Sequence, residues 1–245
     1  MRLVVTEQFM GDRELRLQPR LQCIADCVPH GARLADVGTD HGYLPVWLLQ
    51  RGRIERAIAS DINAGPLEHA MATAATYDVS ERLDFRLCAG LDGVMPDETD
   101  TVVIAGMGGE TIISILQDDD WDWRGHTLLL QPMTKAELLR RFLMENSMCI
   151  KSERLVRDKG EIYAVIEARA GQGAPLTNAE AWCGVGLLRD PLYRAYAQDR
   201  IRKLERAAAG LRQAKNVDNA QITRLEQDAA ELRQKVKEWE DANGT

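Results

Sequence analysis

Four runs of residues have the types and spacing for ligand chemistry. The first is Asp36-Val37-Gly38-Thr39-Asp40-His41-Gly42-Tyr43-Leu44-Pro45. Glycines behind a strand let backbone approach a ligand, and a helix that follows offers unpaired N–H donors. The Gly38-x-x-x-Gly42 spacing is not the dinucleotide Gly-x-Gly-x-x-Gly, and it suits a plain strand-to-helix turn equally well. The second run is Ser60-Asp61-Ile62-Asn63, with Asp61 placed 23 residues after Gly38. A carboxylate only accepts, so Asp61 can take both hydroxyls of a ribose. It can also cap a helix entering at Gly65-Pro66, a duty that Asn63 fills as well. The third is Ala105-Gly106-Met107-Gly108-Gly109, where three glycines in four positions are costly unless backbone needs room. The fourth is Leu130-Gln131-Pro132-Met133. Gln131 both donates and accepts, so it suits reading a base edge or capping neighbouring backbone.

The elements that position these runs alternate. Helical spacing runs over residues 15–28 and stops at Pro29-His30-Gly31. Strands are expected at 33–38, 56–62, 83–88, 101–105 and 126–131, with helices at 44–51, 67–77, 110–117 and 135–146 between them. Two further strands, 150–157 and 161–168, are joined by the short turn Asp158-Lys159-Gly160. This order predicts an α/β fold: a doubly wound, Rossmann-like parallel sheet, with one antiparallel strand at its end. The four runs then fall at the carboxyl ends of strands one, two, four and five, where such sheets bind ligands. Their joint placement implies one cleft for a nucleoside-bearing ligand. No lysine-bearing Walker loop is present, which argues against ATP hydrolysis.

Residues 170–175 read as a linker, dividing the chain into a body at 1–170 and a tail at 171–245. In the tail, Ala197, Ile201, Leu204, Ala208 and Leu211 repeat at heptad spacing, as do Ile222, Leu225, Ala229, Leu232, Val236 and Trp239. With Asn216-Val217-Asp218-Asn219 as a turn, the pattern predicts an antiparallel helical hairpin, a short coiled coil.

The chain has 245 residues, is 45% hydrophobic and 28% charged, and carries a net charge of −7. That composition excludes a wholly disordered chain and a simple basic nucleic-acid coat. The charge divides unevenly: residues 189–215 hold eight basic side chains against three acidic ones. Arg200, Arg202 and Lys203 lie on this basic stripe, which suits phosphate contacts. The start of the chain does not read as a signal peptide, and no run approaches the roughly 20 apolar residues of a membrane span. Five scattered cysteines make a poor disulfide framework, and Cys23 and Cys27 lack further close ligands for a metal. A cytoplasmic protein is expected, without metal or membrane contact, as a monomer or weak dimer.

The run Asp36–Pro45, with Ala105-Gly106-Met107-Gly108-Gly109 and Leu130-Gln131-Pro132, resembles the bacterial tRNA (adenine-22-N1)-methyltransferase family. The resemblance covers about residues 15–170, and the tail is similar to that family's coiled-coil domain. Its specific part is Asp40-His41 with Tyr43-Leu44-Pro45. The resemblance implies S-adenosylmethionine as cofactor and tRNA as partner. It implies Asp36, Gly38, Thr39 and Gly42 on the methionine side, Asp61 at the ribose and Ile62 on the adenine. Gly90 and Leu91 would line the adenine edge, and Ala105 and Gly106 the transferring methyl. Asp40 and His41 match the active-site pair, and Arg20 matches a basic residue ahead of the first strand. Two positions depart from the pattern. Ala89 stands where an acid is frequent, which leaves adenine recognition to backbone or Asp92, and Met133 replaces the usual Asn.

In the reaction this implies, adenine N1 is already nucleophilic, so alignment matters more than a strong base. Asp40 is the candidate to stabilise the cationic product ring. N1 sits on the pairing edge, so the base must leave its stack, and Tyr43 suits stacking on it as well as it suits a core. His41 suits orienting the base or bonding backbone. Gln131, Pro132, Arg200, Arg202 and Lys203 complete the expected substrate contacts. Two other readings remain: a small-molecule methyltransferase whose hairpin dimerises, and a non-catalytic RNA-binding protein of the same fold.

Overall fold

A computed structural model describes residues 14–118, 121–214 and 218–244. The chain's first residues and Asn216-Val217 of the expected turn lie outside these. Helix α1 (Pro19–Ala25) begins with proline in its first turn, where a missing N–H costs nothing. Then β1 (Leu34–Val37), α2 (Tyr43–Gln50), β2 (Ala57–Asp61), α3 (Ala64–Thr76) and β3 (Leu83–Leu87) follow in turn. They lead to β4 (Thr101–Gly108), α4 (Gly109–Asp118), β5 (Thr127–Thr134) and α5 (Ala136–Glu145). A hairpin of β6 (Met148–Asp158) and β7 (Glu161–Ala170) completes a seven-stranded sheet in the order β3-β2-β1-β4-β5-β7-β6.

Strands β1 to β5 are mutually parallel, and β1 sits between β2 and β4. The winding direction therefore reverses at β1 and β4, which opens a crevice at their carboxyl ends. The antiparallel strand is not at the end of the sheet as expected. Strand β7 lies between β5 and β6, antiparallel to both. The reason is legible in burial. Ala164, Val165 and Ile166 are covered on both faces of β7, whereas Lys151, Arg154 and Arg157 of β6 are exposed. Charged side chains suit an edge strand and discourage further pairing.

Alternate residues of the strands feed two apolar layers. Val103, Leu129 and Val165 join Ile24, Val46 and Leu48 on the face of α1 and α2. Val102, Ile104, Leu128 and Leu130 face the other way, onto Ile112 of α4 and Leu139 of α5. That second layer continues without a break into the tail. It takes in Ala179 of α6 (Asn178–Cys183), Tyr196 and Leu204 of α7 (Tyr193–Arg212), and Leu232 of α8 (Asn219–Asn243). Helix α6 falls just beyond the expected linker. Thr177 and Glu180 close a capping box around its first turn.

Helices α7 and α8 pack antiparallel. Arg194 pairs with Glu240 at 2.8 Å, Glu205 with Arg233, and Arg212 with Glu226, an order that only opposed helices produce. Of the expected seam, Ala197, Ile201, Leu204, Ala208, Ile222, Ala229, Leu232 and Val236 are buried. At the base of this arm, Arg140 of α5 and Glu153 of β6 pair at 2.8 Å with both side chains fully buried. Arg140 also donates to the Ala181 carbonyl at 2.8 Å, and Glu153 accepts from the Val185 N–H at 2.8 Å.

Candidate active site

The loop after β1 is bent by three left-handed residues: Gly38 at φ 74°, Asp40 at φ 52° and Gly42 at φ 66°. Aspartate is among the few side chains that tolerate this region. Gly42 is required for a second reason. A Cβ there would stand 2.9 Å from the Ala70 Cβ, so only glycine lets the start of α2 close against α3. The N–H groups of Gly38 and Thr39 both donate to the Ser60 carbonyl, at 2.8 and 3.0 Å, which ties the β1 and β2 ends together.

Beside this loop lies a cleft of about 320 Å³. Asp36, Gly38, Thr39, Asp40 and His41 line it, together with Arg20, Tyr43, Asp61, Ala105 and Gly106. Asp36 is buried, and among the described residues its carboxylate meets a single hydrogen bond, from Thr39 Oγ1 at 2.7 Å. Burial pushes the Asp36 carboxyl up to about 6; the Thr39 bond counters this and the nearby Asp61 adds to it. Asp40 is the opposite case, with a side chain 74% exposed and Oδ1 at 3.7 Å from His41 Nε2.

A second cavity of about 460 Å³ adjoins the first and shares Gly38, Asp61 and Met107 with it. Ile62, Ala89, Gly90 and Asp92 line this one. One Asp61 oxygen accepts from the Asn63 N–H at 2.8 Å, so Asp61 holds its own turn while facing both cavities. Met107 belongs to the third glycine-rich run, where its residue type signals no role of its own. A Cβ on Gly38 would meet Met107 Cε at 2.0 Å, so this flexible side chain lies directly over the glycine between the two lobes.

Several expected contacts stand elsewhere. Leu91 is 1% exposed and packs into the core, so of that pair only Gly90 reaches the cavity. Gln131 is fully buried and already engaged. Its Oε1 accepts from Arg20 Nη1 at 2.6 Å and from the Gly106 N–H at 3.2 Å, and its Nε2 donates to the Pro132 carbonyl at 3.0 Å. Pro132 is buried as well. The pair thus supports the cleft from behind. Arg20 is further steadied by Asp158 at 3.9 Å, a residue at the end of β6 that sequence reading treated only as part of a turn.

On the arm, Asp199 gathers three cations: Arg200 at 2.8 Å, Arg202 at 3.5 Å and Lys203 at 2.8 Å. Arg200 is only 12% exposed and lies over the Tyr196 ring at 4.8 Å, a packing position rather than a free phosphate contact. Arg202 and Lys203 stay about half exposed. Among the described residues there is no group of three or more His, Cys, Asp or Glu placed to hold a metal ion, and no helix long and apolar enough to cross a membrane.

Comparison with known proteins agrees with this geometry. The methyltransferase-domain family matches residues 17–166. The tRNA (adenine(22)-N(1))-methyltransferase of Bacillus subtilis is 34% identical over 159 residues, which cover 64% of this chain and 67% of that protein. The crystal structure of the B. subtilis m1A22 tRNA methyltransferase TrmK superposes with a TM-score of 0.78 at 28% identity, covering 92% of this chain and 99% of that one. M. capricolum TrmK, solved with the cofactor product S-adenosylhomocysteine, superposes at 0.77 with 26% identity, over 90% and 98% of the two chains. On the sheet order, the cleft at its reversal and these similarities, the chain belongs to the tRNA (adenine(22)-N(1))-methyltransferase family.

Proposed function

We propose that this protein transfers a methyl group from S-adenosylmethionine to N1 of an adenine in tRNA, at position 22. The observation that carries the reading is the two-lobed cleft. Its lobes meet at Gly38 and Asp61, and a carboxylate lies at the foot of each flanking strand. The residues fit this cofactor. Only the flexible end of Met107 lies over Gly38, buried Asp36 keeps acceptor capacity facing the first lobe, and Asp61 faces both lobes. Asp36, Gly38 and Thr39 would hold the methionine half, Asp61 the ribose, and Ile62, Gly90 and Asp92 the adenine, with Ala105 and Gly106 beside the methyl; Gly42, which lines neither lobe, shapes the turn from behind.

The cofactor supplies an electrophilic methyl on a sulfonium. The chain's own work is alignment and charge. Asp40 stands on a left-handed turn at the rim, exposed and clear of the core, where it can accept from the adenine amino group and stabilise the cation formed by methylation at N1. Arg20 sits opposite, locked by Gln131 and Asp158, and suits a phosphate or carboxylate. Residues 1–170 act as the catalytic body and 171–245 as an arm that meets RNA through Arg202 and Lys203.

The test is methyl transfer from labelled S-adenosylmethionine to a tRNA transcript with adenine at 22, followed by nucleoside analysis. N1-methyladenosine is expected, and its loss when position 22 is changed to guanine. Asp40→Ala is expected to lower kcat by at least tenfold with cofactor affinity retained; unchanged turnover would remove Asp40 from the mechanism. Incorporation into no RNA would favour a small-molecule substrate.

A further inference from the structure

From the first lobe outward, the site carries an aromatic feature that extends beyond the residues of the reaction. The His41 ring stacks on Tyr43, with centroids 5.2 Å apart and planes 13° apart. The same His41 ring stacks on His69 of α3, at 4.8 Å and 15°. The three rings form a ladder with His41 as the shared member. His69 and Tyr43 are exposed, and His41 is half-exposed. His41 and Tyr43 line the first lobe, whereas His69 lines neither lobe, so the ladder climbs from the cleft onto α3. It is also built in. Gly42 admits the close approach of α2 and α3 at Ala70, and that approach brings His69, the residue before Ala70, up to His41.

We propose that this ladder is a nucleobase-stacking platform, and that the outer face of His69 receives an unpaired base flanking the target adenine. The inference rests on the tRNA reading above. Parallel rings exposed at the mouth of a nucleotide cleft present flat π-faces, and such faces are what unstacked bases seek. A base withdrawn from its helix leaves its neighbour unstacked, and a ring outside the pocket restores that contact while the target enters. His41, as the shared ring, is covered by its neighbours and offers the substrate its edge. His69 is thus a positioning residue that holds the RNA and touches none of the reacting atoms.

The experiment compares the full-length wild type with His69→Ala and His69→Phe. It reads tRNA dissociation constants by filter binding, kcat and KM for methyl transfer, and the cofactor dissociation constant by calorimetry. His69→Ala should weaken tRNA binding about fivefold or more and raise KM in step, the low end of what one base–aromatic stack is worth. It should leave kcat within about twofold and cofactor affinity unchanged. His69→Phe, which keeps the ring and loses the nitrogens, should return tRNA binding to within about twofold of wild type. Wild-type binding by His69→Ala overturns the platform. So does failure of the Phe variant to rescue, which would assign the effect to the imidazole nitrogens. If wild type binds tRNA but yields no N1-methyladenosine, the proposed function fails, while the binding ratio among the three proteins still decides the platform.

Discussion

The cleft and the base of the helical arm each bury a charge, and they treat it in opposite ways. At the arm, Arg140 meets Glu153, the Ala181 carbonyl and the Tyr196 hydroxyl of α7, and Glu153 is completed by the Val185 N–H. Burial alone would lower the pKa of the Arg140 guanidinium, yet the Glu153 charge prevails and the net shift is upward. In the cleft, Asp36 has one hydroxyl partner, and burial wins, raising its carboxyl to about 6. A completed pair holds elements together. An under-partnered carboxylate facing a cavity is a cost that a ligand's donors can offset.

Removing one side of the completed pair should have the largest effect. Arg140→Ala strands Glu153 in the core and is expected to cost about 3–5 kcal/mol, read as a lowered urea midpoint. Replacing both, as Arg140→Met with Glu153→Leu, should recover most of that, because no lone charge is left. If the double variant were as unstable as the single, the pair would be supplying net stability, and the contrast with Asp36 would lie in more than partner number.

Asp36→Asn should move stability the other way. The folded carboxyl titrates near 6 and an unfolded one near 3.8, so the folded state holds its proton over that window. Stability from this group is therefore complete below about 3.8 and is lost as pH rises through about 6. Above that, the buried anion costs about 3 kcal/mol, at about 1.4 kcal/mol per pH unit. Asparagine cannot titrate, so the ligand-free variant should melt higher than wild type at pH 8 and lose this part of the pH slope. Cofactor affinity should fall in the same variant. A variant that melts lower at pH 8 would show that the Asp36 anion is already satisfied within the protein.

How much of this could be read from the sequence follows the same divide. The strand order up to β5 and the acids at strand ends are local signals: each of these strands starts within a residue of its expected place, while β4 and β5 run three residues further than expected and take Gly106 and Gly108 into the strand. The antiparallel position of β7 was also present, in the contrast between the apolar Ala164-Val165-Ile166 and the charged β6, but it needs both strands weighed together. Helix α6 was announced by Thr177 and Glu180, a capping box hidden behind a glycine-rich stretch. Asp158, Met107 and His69 gave no such notice. Their places depend on contacts with Arg20, Gly38 and His41, which lie between 28 and 138 positions away in the chain. The basic stripe is thinner than its count of charges for a related reason. Counting charge along α7 cannot see that Asp199 gathers three cations or that Glu226 and Glu240 on α8 meet two more.

Gln131 tests whether the cleft has a finished wall behind its unfinished floor. Gln131→Ala removes the acceptor shared by Arg20 and the Gly106 N–H in a fully buried place. A loss of about 1–3 kcal/mol is expected from the stranded donors, with weaker tRNA binding as Arg20 loosens. No change in stability would mean that water reaches the site and that the wall is as open as the floor.

The smallest effect belongs to the arm's outer surface. Arg233 pairs with Glu205 across α7 and α8, with both side chains about half exposed. Water screens such a pair, and two long side chains lose freedom in forming it, so Arg233→Ala should cost no more than about 1 kcal/mol and less in high salt. The arm's stability then lies in Leu204, Ala229 and Leu232, which are at most 2% exposed, and in its buried base. The discriminating measurement sets this variant beside Arg140→Ala in the same urea titration. A loss at Arg233 that rivals the buried pair and survives salt would mean that the arm is held along its length. It would then be a rigid lever rather than two helices anchored at one end.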